Sequence, residues 1–354
     1  MKKTKQTDSW FFVGHSIGVT LLAIHTLEAA YFGLPVGERG RCFLVINGDK
    51  TQLYYDLLDQ YPHITLVTLS RQSIGSLLGL LKDGLGRRQI VLHPLSFGSV
   101  HFVHAFLTRV ITTLHPRSRS VVLDTRSWYN WFWFTDILPQ KLDQSIFTSM
   151  EEAVAHCGIS VTTRRPQLLH AIAPIHPALA VAGKPYIVVH PFAANPIRSL
   201  PPPRWQELFD FITSTYPEYQ LVISGGPSDR TEALAFIRSK YKQVFFTEDI
   251  IATFLPKIGL IDNVALYIGV DTGPTHLAAH LGVPTIVIGN NSNPCWLPTY
   301  NRDVVVLMHL EHCTCTSDKG GNCRETIDGK VYYRCMVEIT QAEINQHIME
   351  ALAR

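Results

Sequence analysis

The sequence predicts an α/β protein made of two doubly wound domains that face each other across a cleft. Short β-branched runs recur with helical patterns between them, as parallel strands joined by crossover helices require. The alternation halts at one stretch rich in proline and alanine and then resumes. At 354 residues the chain is too long for one typical domain and suits two, each burying its own core.

In the first half, strands are expected at Trp10–Val13, Cys42–Ile46, Thr65–Leu69, Gln89–Leu92 and Ser120–Leu123. Leu, Ile, Val and Phe at helical spacing fill Gly18–Tyr31, Gln72–Leu81 and Val100–Leu114 between them. The segment Ala171–Lys184, with Pro174 and Pro177, carries few structure signals and reads as the connection, dividing the chain into domains 1–175 and 176–354. Strands then resume at Tyr186–Val189, Gln220–Ile223, Val244–Phe246, Leu266–Gly269 and Thr285–Ile288, and a helix over Gln341–Leu352 closes the chain. In such sheets ligands sit beyond the carboxyl ends of the strands.

Composition narrows the partners. A 46% hydrophobic, 17% charged chain is ordinary globular material, and a formal charge of +2 gives no basic face for nucleic acid. Lys2, Lys3 and Lys5 precede no apolar core of the signal-peptide kind, because His15, Ser16, His25 and Glu28 interrupt the apolar residues after them. No run approaches the length of a spanning helix, so the expected location is the cytoplasm. Six aromatics within Ser127–Phe134 suit core packing, or an acceptor platform, subunit contact or membrane-surface anchor if exposed. A peripheral contact with the inner membrane and self-association both stay open.

The chemistry concentrates in Leu266–Pro284, which reads LYIGVDTGPTHLAAHLGVP. A buried strand ends at Asp271, a tight turn comes next at Thr272-Gly273, and Pro274 stands at a first-turn position. The start of such a helix presents unsatisfied N–H groups and a positive dipole end, which suit a phosphate. Thr272, Thr275 and His276 are expected to add side-chain donors to the same mouth. The plainer alternative is that Asp271 or Thr272 only caps the helix.

Gly269–Thr285 has the form G-x-D-T-G-x-x-H-L-A-A-x-x-G-x-P-T. In this it resembles the bacterial ADP-heptose transferases that build the lipopolysaccharide inner core, and their relatives. A second likeness runs from Val188-Val189-His190-Pro191 through Asn195, Arg198, Pro201, Arg204 and Trp205, with Arg198 where the family places a phosphate-binding lysine. A third is Ser224-Gly225-Gly226-Pro227-Ser228-Asp229, where relatives contact the nucleoside. The resemblance covers roughly Pro185 to Ala351 well and the first half by pattern alone.

This resemblance implies a glycosyltransferase of the GT-B type, with two Rossmann-like domains. The acceptor is expected on the N-terminal domain and the nucleotide-sugar donor on the C-terminal one. It assigns the donor to Arg198, Gly226, Asp229, Asp271, Thr272, Gly273, Thr275 and His276. It implies inverting transfer of a sugar, heptose from an ADP-linked donor, onto a glycan, a lipid-linked glycan or a protein. No cofactor is needed for that chemistry.

One departure is sharp. The family opens with S-x-G-D-V-L, its Asp serving as catalytic base, whereas this chain reads Ser16-Ile17-Gly18-Val19-Thr20-Leu21. Valine accepts no proton. His15 on the same turn, and His93 and Asp124 at strand ends, are the alternative candidates, each against the plain reading of a hydrogen-bonded polar residue. A protein that binds the nucleotide sugar or glycan without catalysis, and a nucleotide-sugar epimerase of the same fold, are the rival readings.

Seven cysteines complete the inventory, four of them at Cys313, Cys315, Cys323 and Cys335. Four thiolates can close a tetrahedral zinc or iron site, with His309 and His312 as spare ligands, although C-x-C-x₇-C-x₁₁-C departs from the usual knuckle spacing. Buried thiols acting as small hydrophobes are the alternative. Some relatives that modify autotransporter proteins hold iron in a four-cysteine finger, and the resemblance extends that expectation to this cluster as a structural site.

Overall fold

The computed structural model describes residues 6–13, 17–47, 58, 61–69, 74–94, 102–113, 115–124, 130–141, 143–161, 184–193, 195–225, 245–246, 264–289, 294–299, 303–309 and 323–354. Contacts divide the chain into two units, Met1–Pro166 and Gln167–Arg354.

The first unit carries β1 (Thr7–Val13), β2 (Arg39–Asn47), β3 (Ile64–Leu69), β4 (Arg88–His93), β5 (Arg119–Asp124) and β6 (Asp136–Pro139). All pair in parallel, in the order β3-β2-β1-β4-β5-β6. Its helices are α1 (Ile17–Gly33), α2 (Ile74–Asp83), α3 (Phe102–Thr113), α4 (Asn130–Trp133) and α5 (Ile146–His156). Every residue of β1 is buried, as expected of a central parallel strand covered on both faces. Trp10, Phe12, Phe43, Val45 and Val91 pack against Leu77 and Leu81 of α2 and Ile111 of α3. Helix α1 packs against β1, β2 and α5, where His25 meets Glu151 at 2.9 Å.

A buried charge ties down the opposite end of the sheet. Asp8 is fully buried in β1 and accepts from the Arg41 backbone N–H at 2.9 Å, from its guanidinium at 2.7 Å, and from Arg87 at 3.2 Å. Gly40 makes the approach possible: a Cβ there would lie 2.4 Å from Asp8 Oδ1 and 2.3 Å from the Thr7 carbonyl oxygen.

The second unit repeats the winding with β7 (Tyr186–His190), β8 (Gln220–Ile223), β9 (Phe245–Phe246), β10 (Val264–Val270), β11 (Thr285–Ile288) and β12 (Val304–Leu307). These are parallel, ordered β12-β11-β10-β7-β8-β9. Helices α6 (Pro202–Thr215) and α7 (Gly273–His280) belong to this sheet. A separate antiparallel hairpin of β13 (Arg324–Ile327) and β14 (Lys330–Tyr333) leads into α8 (Arg334–Val337) and α9 (Gln341–Leu352). Ile187, Val189, Leu266, Ile268 and Ile286 meet Trp205, Leu208, Phe209 and Ile212 of α6 and Ile344 and Ile348 of α9 in one core. A capping box fixes the start of α9, with Thr340 and Glu343 bonded reciprocally.

Both sheets therefore reverse direction once. The switch points lie between β1 and β4 in the first and between β7 and β10 in the second, and crevices for ligands open at such places. The expected strands and helices are present within a few residues. Additions are the four-residue strands β6 and β12 at sheet edges, the hairpin β13–β14, and helices α4, α5, α6 and α8. The aromatic run divides: Phe134 is buried and Phe132 exposed, while residues 127–129 lie outside the described residues. Among the described residues no helix is long and apolar enough to cross a membrane.

Candidate functional site

The second switch point brings two of the sequence segments together. Strand β10 ends at Val270, Asp271 and Thr272 turn the chain, and α7 begins at Gly273 with Pro274 in its first turn. Thr272 is the N-cap in extended conformation, yet its side chain caps nothing: its hydroxyl donates back to the Val270 carbonyl at 3.3 Å. Thr272 therefore makes no cap bond to the first-turn N–H groups, and the positive end of such a helix dipole suits an anion.

The turn is held from below. Thr275 is fully buried, and its hydroxyl donates to the Val270 carbonyl at 2.6 Å. That differs from the expected donor at the mouth; Thr275 pins the turn instead, because the nearest acceptor lies inside it. Gly269 leaves the space for this pin, since a Cβ there would stand 2.4 Å from Thr275 Oγ1 and 3.0 Å from the Tyr267 ring. Burial pushes the Tyr267 phenol above its ordinary value, so it stays un-ionised beneath the turn.

His276 closes the constellation. Its backbone N–H makes a helical bond to the Thr272 carbonyl at 3.1 Å, and its Nε2 lies 3.0 Å from Asp271 Oδ1. Both side chains are close to one-tenth exposed, which leaves a narrow face of the pair open to solvent.

Across the switch point, β7 ends at His190. Its Nδ1 lies 2.9 Å from the Ser224 carbonyl oxygen, which only accepts, so Nδ1 carries the proton. This bond ties the end of β7 to the end of β8, where the glycine-rich segment begins. After β7 a 3₁₀ turn, Pro196–Arg198, carries Arg198 half-buried at its end, and Asn195 caps that turn by accepting from the Ile197 N–H at 3.3 Å. Ser199 accepts from Trp205 Nε1 at 3.0 Å and donates to the Pro191 carbonyl, anchoring the loop to α6. Gly226 and Asp229 lie outside the described residues.

In the first unit the switch point lies between the end of β1 and the end of β4. His15 lies outside the described residues, Asp124 ends β5, and Val19 sits half-buried in the first turn of α1. His93 ends β4 with no exposure, stacked on Phe12 at 5.0 Å and edge-on to Phe134 at 4.9 Å. Thr108 gives its hydroxyl proton to the His104 carbonyl, so it accepts from His93 Nε2 at 2.8 Å. Burial, with His104 nearby, holds the imidazole well below its ordinary value and therefore neutral. This is the setting of a core histidine.

Two of the four cysteines are described. Cys323 directly precedes β13 and accepts the Arg334 N–H on its carbonyl at 3.2 Å, while Cys335 follows β14 and is buried. The hairpin thus brings both to its open end. Cys313, Cys315 and His312 lie outside the described residues, His309 is paired with Glu343 at 2.9 Å, and among the described residues no three or more His, Cys, Asp or Glu group as metal ligands.

The family model for glycosyltransferase family 9 (heptosyltransferase) matches residues 142–326, which include the Asp271–His276 turn and both sides of the second switch point. The chain belongs to glycosyltransferase family 9. Like the family, it is a sugar-transferring enzyme, and its two parallel sheets are the two Rossmann-like domains of the GT-B fold. Solved family 9 folds are similar over nearly the whole length. ADP-heptose lipopolysaccharide heptosyltransferase II of E. coli is 14% identical over 98% of each chain, with a TM-score of 0.67. E. coli heptosyltransferase WaaC, solved with ADP-2-deoxy-2-fluoro heptose, is 14% identical over 97% of this chain and 99% of its own, with a TM-score of 0.61. TibC, an iron-containing dodecameric glycosyltransferase of enterotoxigenic E. coli, is 14% identical over 99% of this chain and 77% of its own, with a TM-score of 0.57. A search of curated protein sequences finds no match.

In this family 9 chain, sequence reasoning passes over the parts played by His190, which ties the ends of β7 and β8 together, and by Tyr267, buried beside Gly269 under the turn. His190 leaves a readable trace as a polar residue closing an apolar strand; Tyr267 leaves none, since a tyrosine in a strand is ordinary.

Proposed function

We propose that the chain transfers a sugar, heptose, from an ADP-linked donor to a hydroxyl of a surface glycan such as lipopolysaccharide core, or of a protein, with inversion at the anomeric carbon. The observation that carries the reading is the mouth of α7, where the Thr272 side chain makes no cap bond and the Asp271–His276 pair stands beside it. Arg198, Asp271, Thr272, Gly273 and His276 form the donor grip, Thr275 pins it, and Gly226 and Asp229 take the nucleoside. The relatives solved with ADP-linked heptoses have the same fold, which supports the choice of nucleotide.

In the step itself the acceptor oxygen attacks the anomeric carbon as the bond to the diphosphate breaks. Charge accumulates on the departing ADP, where the helix dipole and Arg198 stabilise it. The acceptor proton needs a base. Val19 cannot supply one, and His93 is sealed in the core, so His15 and Asp124 are the remaining candidates. Residues 1–175 act as the acceptor side and 176–354 as the donor side.

A metal on Cys313, Cys315, Cys323 and Cys335 would be structural, bracing the open end of the hairpin, with the chemistry left to the donor grip. We place the protein in the cytoplasm, in peripheral contact with the inner membrane where its glycan acceptor is assembled.

A thermal-shift titration with ADP, UDP, GDP and ADP-heptose tests the reading on wild type and on the Asp271→Ala/His276→Ala variant. A ligand that binds only the folded state raises its melting temperature. ADP-linked ligands should stabilise the wild type and leave the variant unmoved. A folded wild type that no nucleotide stabilises at saturation would sink the donor assignment.

A further inference from the structure

Helices α2 and α3 lie on one face of the first sheet, where Leu77, Leu81 and Ile111 pack against Trp10, Phe12 and Val91. Helix α4 packs beside α3. The outward side of these three helices is rich in apolar groups. Leu78 and Leu85, in and just after α2, Val103 and Phe106 of α3, and Phe132 of α4 are each between 51 and 67% exposed. Of the eight large hydrophobic residues that stand exposed among the described residues, five belong to this one side, whereas α1 and α5 expose none. Single exposed apolar residues are ordinary, but a gathering of them on one side marks a contact surface.

Charge says what covers it. From Tyr61 to Leu123 the sequence has seven arginines and lysines and one carboxylate, Asp83, a formal +6 in a chain whose total is +2. Lys82, Arg109 and Arg117 are exposed, and among the described residues none of the three makes an ion pair or a side-chain hydrogen bond, whereas Arg41, Arg87 and Arg119 are paired. Helix α3 carries both features on one stripe: Val103, Phe106 and Val110 recur at helical spacing, and Arg109 stands one turn on from Phe106. A second copy of this chain, docked through the same side, would set like charges against each other. Anionic headgroups neutralise those cations instead, while the apolar side chains enter the boundary beneath them.

We propose that the α2–α3–α4 side of the first unit docks on a bilayer surface rich in anionic lipid, with Val103, Phe106 and Phe132 entering the headgroup boundary and Lys82, Arg109 and Arg117 holding lipid phosphates. This deepens the peripheral membrane contact proposed above by naming its face and the lipid charge it needs, and it rests on that reading. The face belongs to the unit assigned to the acceptor, so docking there brings that unit to the membrane where the acceptor is assembled.

Cosedimentation with vesicles of phosphatidylcholine alone, and of phosphatidylcholine and phosphatidylglycerol in equal parts, tests the proposal. Wild type is compared with Lys82→Gln/Arg109→Gln/Arg117→Gln and with Val103→Gln/Phe106→Gln; all five positions are exposed, and circular dichroism melts check that both variants fold. The wild type should partition onto anionic vesicles about tenfold better than onto neutral ones, the charge variant should lose that preference, and the apolar variant should bind anionic vesicles about tenfold more weakly. High salt, which screens the headgroups and leaves the sequence unchanged, should release the wild type as well. A wild type that ignores anionic vesicles overturns the proposal together with the membrane reading under it. Anionic vesicles that hold wild type and both variants alike overturn this face alone and move the contact elsewhere on the molecule. Loss of binding in the charge variant with none in the apolar one overturns insertion and leaves a polyanion site. Self-association through these side chains, without vesicle binding, assigns the face to a second copy and overturns the proposal too.

Discussion

Asp271 and His276 face each other across the first turn of α7, with Oδ1 and Nε2 3.0 Å apart. The carboxylate fixes the imidazole at a helix mouth whose N-cap residue, Thr272, makes no side-chain cap bond. Removing either partner should therefore loosen the donor site without unfolding the domain. For Asp271→Asn we expect ADP affinity to fall about tenfold, the scale of one hydrogen bond to a charged group, roughly 1.5–3 kcal/mol. Calorimetric titration with ADP checks it; an unchanged Kd would separate the pair from donor binding.

Val19 lies half-buried in the first turn of α1, where a carboxylate is favoured by the helix dipole. Installing Val19→Asp should raise kcat, toward the roughly 10²–10⁴-fold that a positioned general base contributes. Steady-state turnover of ADP-heptose, with ADP release as readout, measures the gain. A variant that folds and binds ADP but turns over no faster would mean that another group already serves as base.

Gly269 has Thr275 Oγ1 where its own side chain would be. Gly269→Ala should destabilise the second unit by about 1–3 kcal/mol, the usual cost of overpacking, and weaken ADP binding with it. Chemical denaturation followed by tryptophan fluorescence, alongside ADP titration, reads both effects.

Much of this site is legible in the sequence. Asp271 to His276 stand out because a phosphate mouth needs glycine, proline and small polar residues at fixed offsets after an apolar strand. Thr275 reads as a donor because sequence reports residue type but not direction; only the fold shows its hydroxyl turned inward to Val270. His93 reads as a base because it closes a strand, and the packing of Phe12 and Phe134 around it comes from distant segments. Strands β6 and β12 escape notice because a four-residue edge strand leaves little periodicity, whereas β1 and β10 announce themselves by continuous burial.

Asp8 is fully buried between Arg41 and Arg87. Truncating it as Asp8→Ala strips a central partner from two half-buried guanidinium groups. The expected loss is about 3–5 kcal/mol, as for other broken buried pairs. Urea denaturation of wild type and variant supplies the number, and a loss under about 1 kcal/mol would show that solvent replaces the carboxylate readily.

Glu343 is held below the ordinary carboxylate value first by the Thr340 hydroxyl, then by the Thr340 backbone N–H, with His309 adding to the effect. A depressed folded-state pKa means that its stabilisation is full above the unfolded value, about 4.3, and is lost as pH falls through the lower folded one. Glu343→Gln should therefore lower the urea midpoint at pH 7 and make no difference near pH 2. Equal effects at both pH values would remove the carboxylate from the account.

The two switch points also set a schedule for synthesis. In each unit the first strand made ends in the middle of its sheet, and its second neighbour arrives only after two further strands and their connections: Trp10 waits for Val91, and Val188 waits for Tyr267. On the ribosome, β1 and β7 therefore spend a long interval with one edge unpaired, a state that invites mispairing in slowly folding parallel sheets. The crevice at the second switch point is among the last features of its unit to exist. A nascent chain stalled before β10 would carry Arg198 and the loop after β7 without the Asp271–His276 turn that completes the switch point.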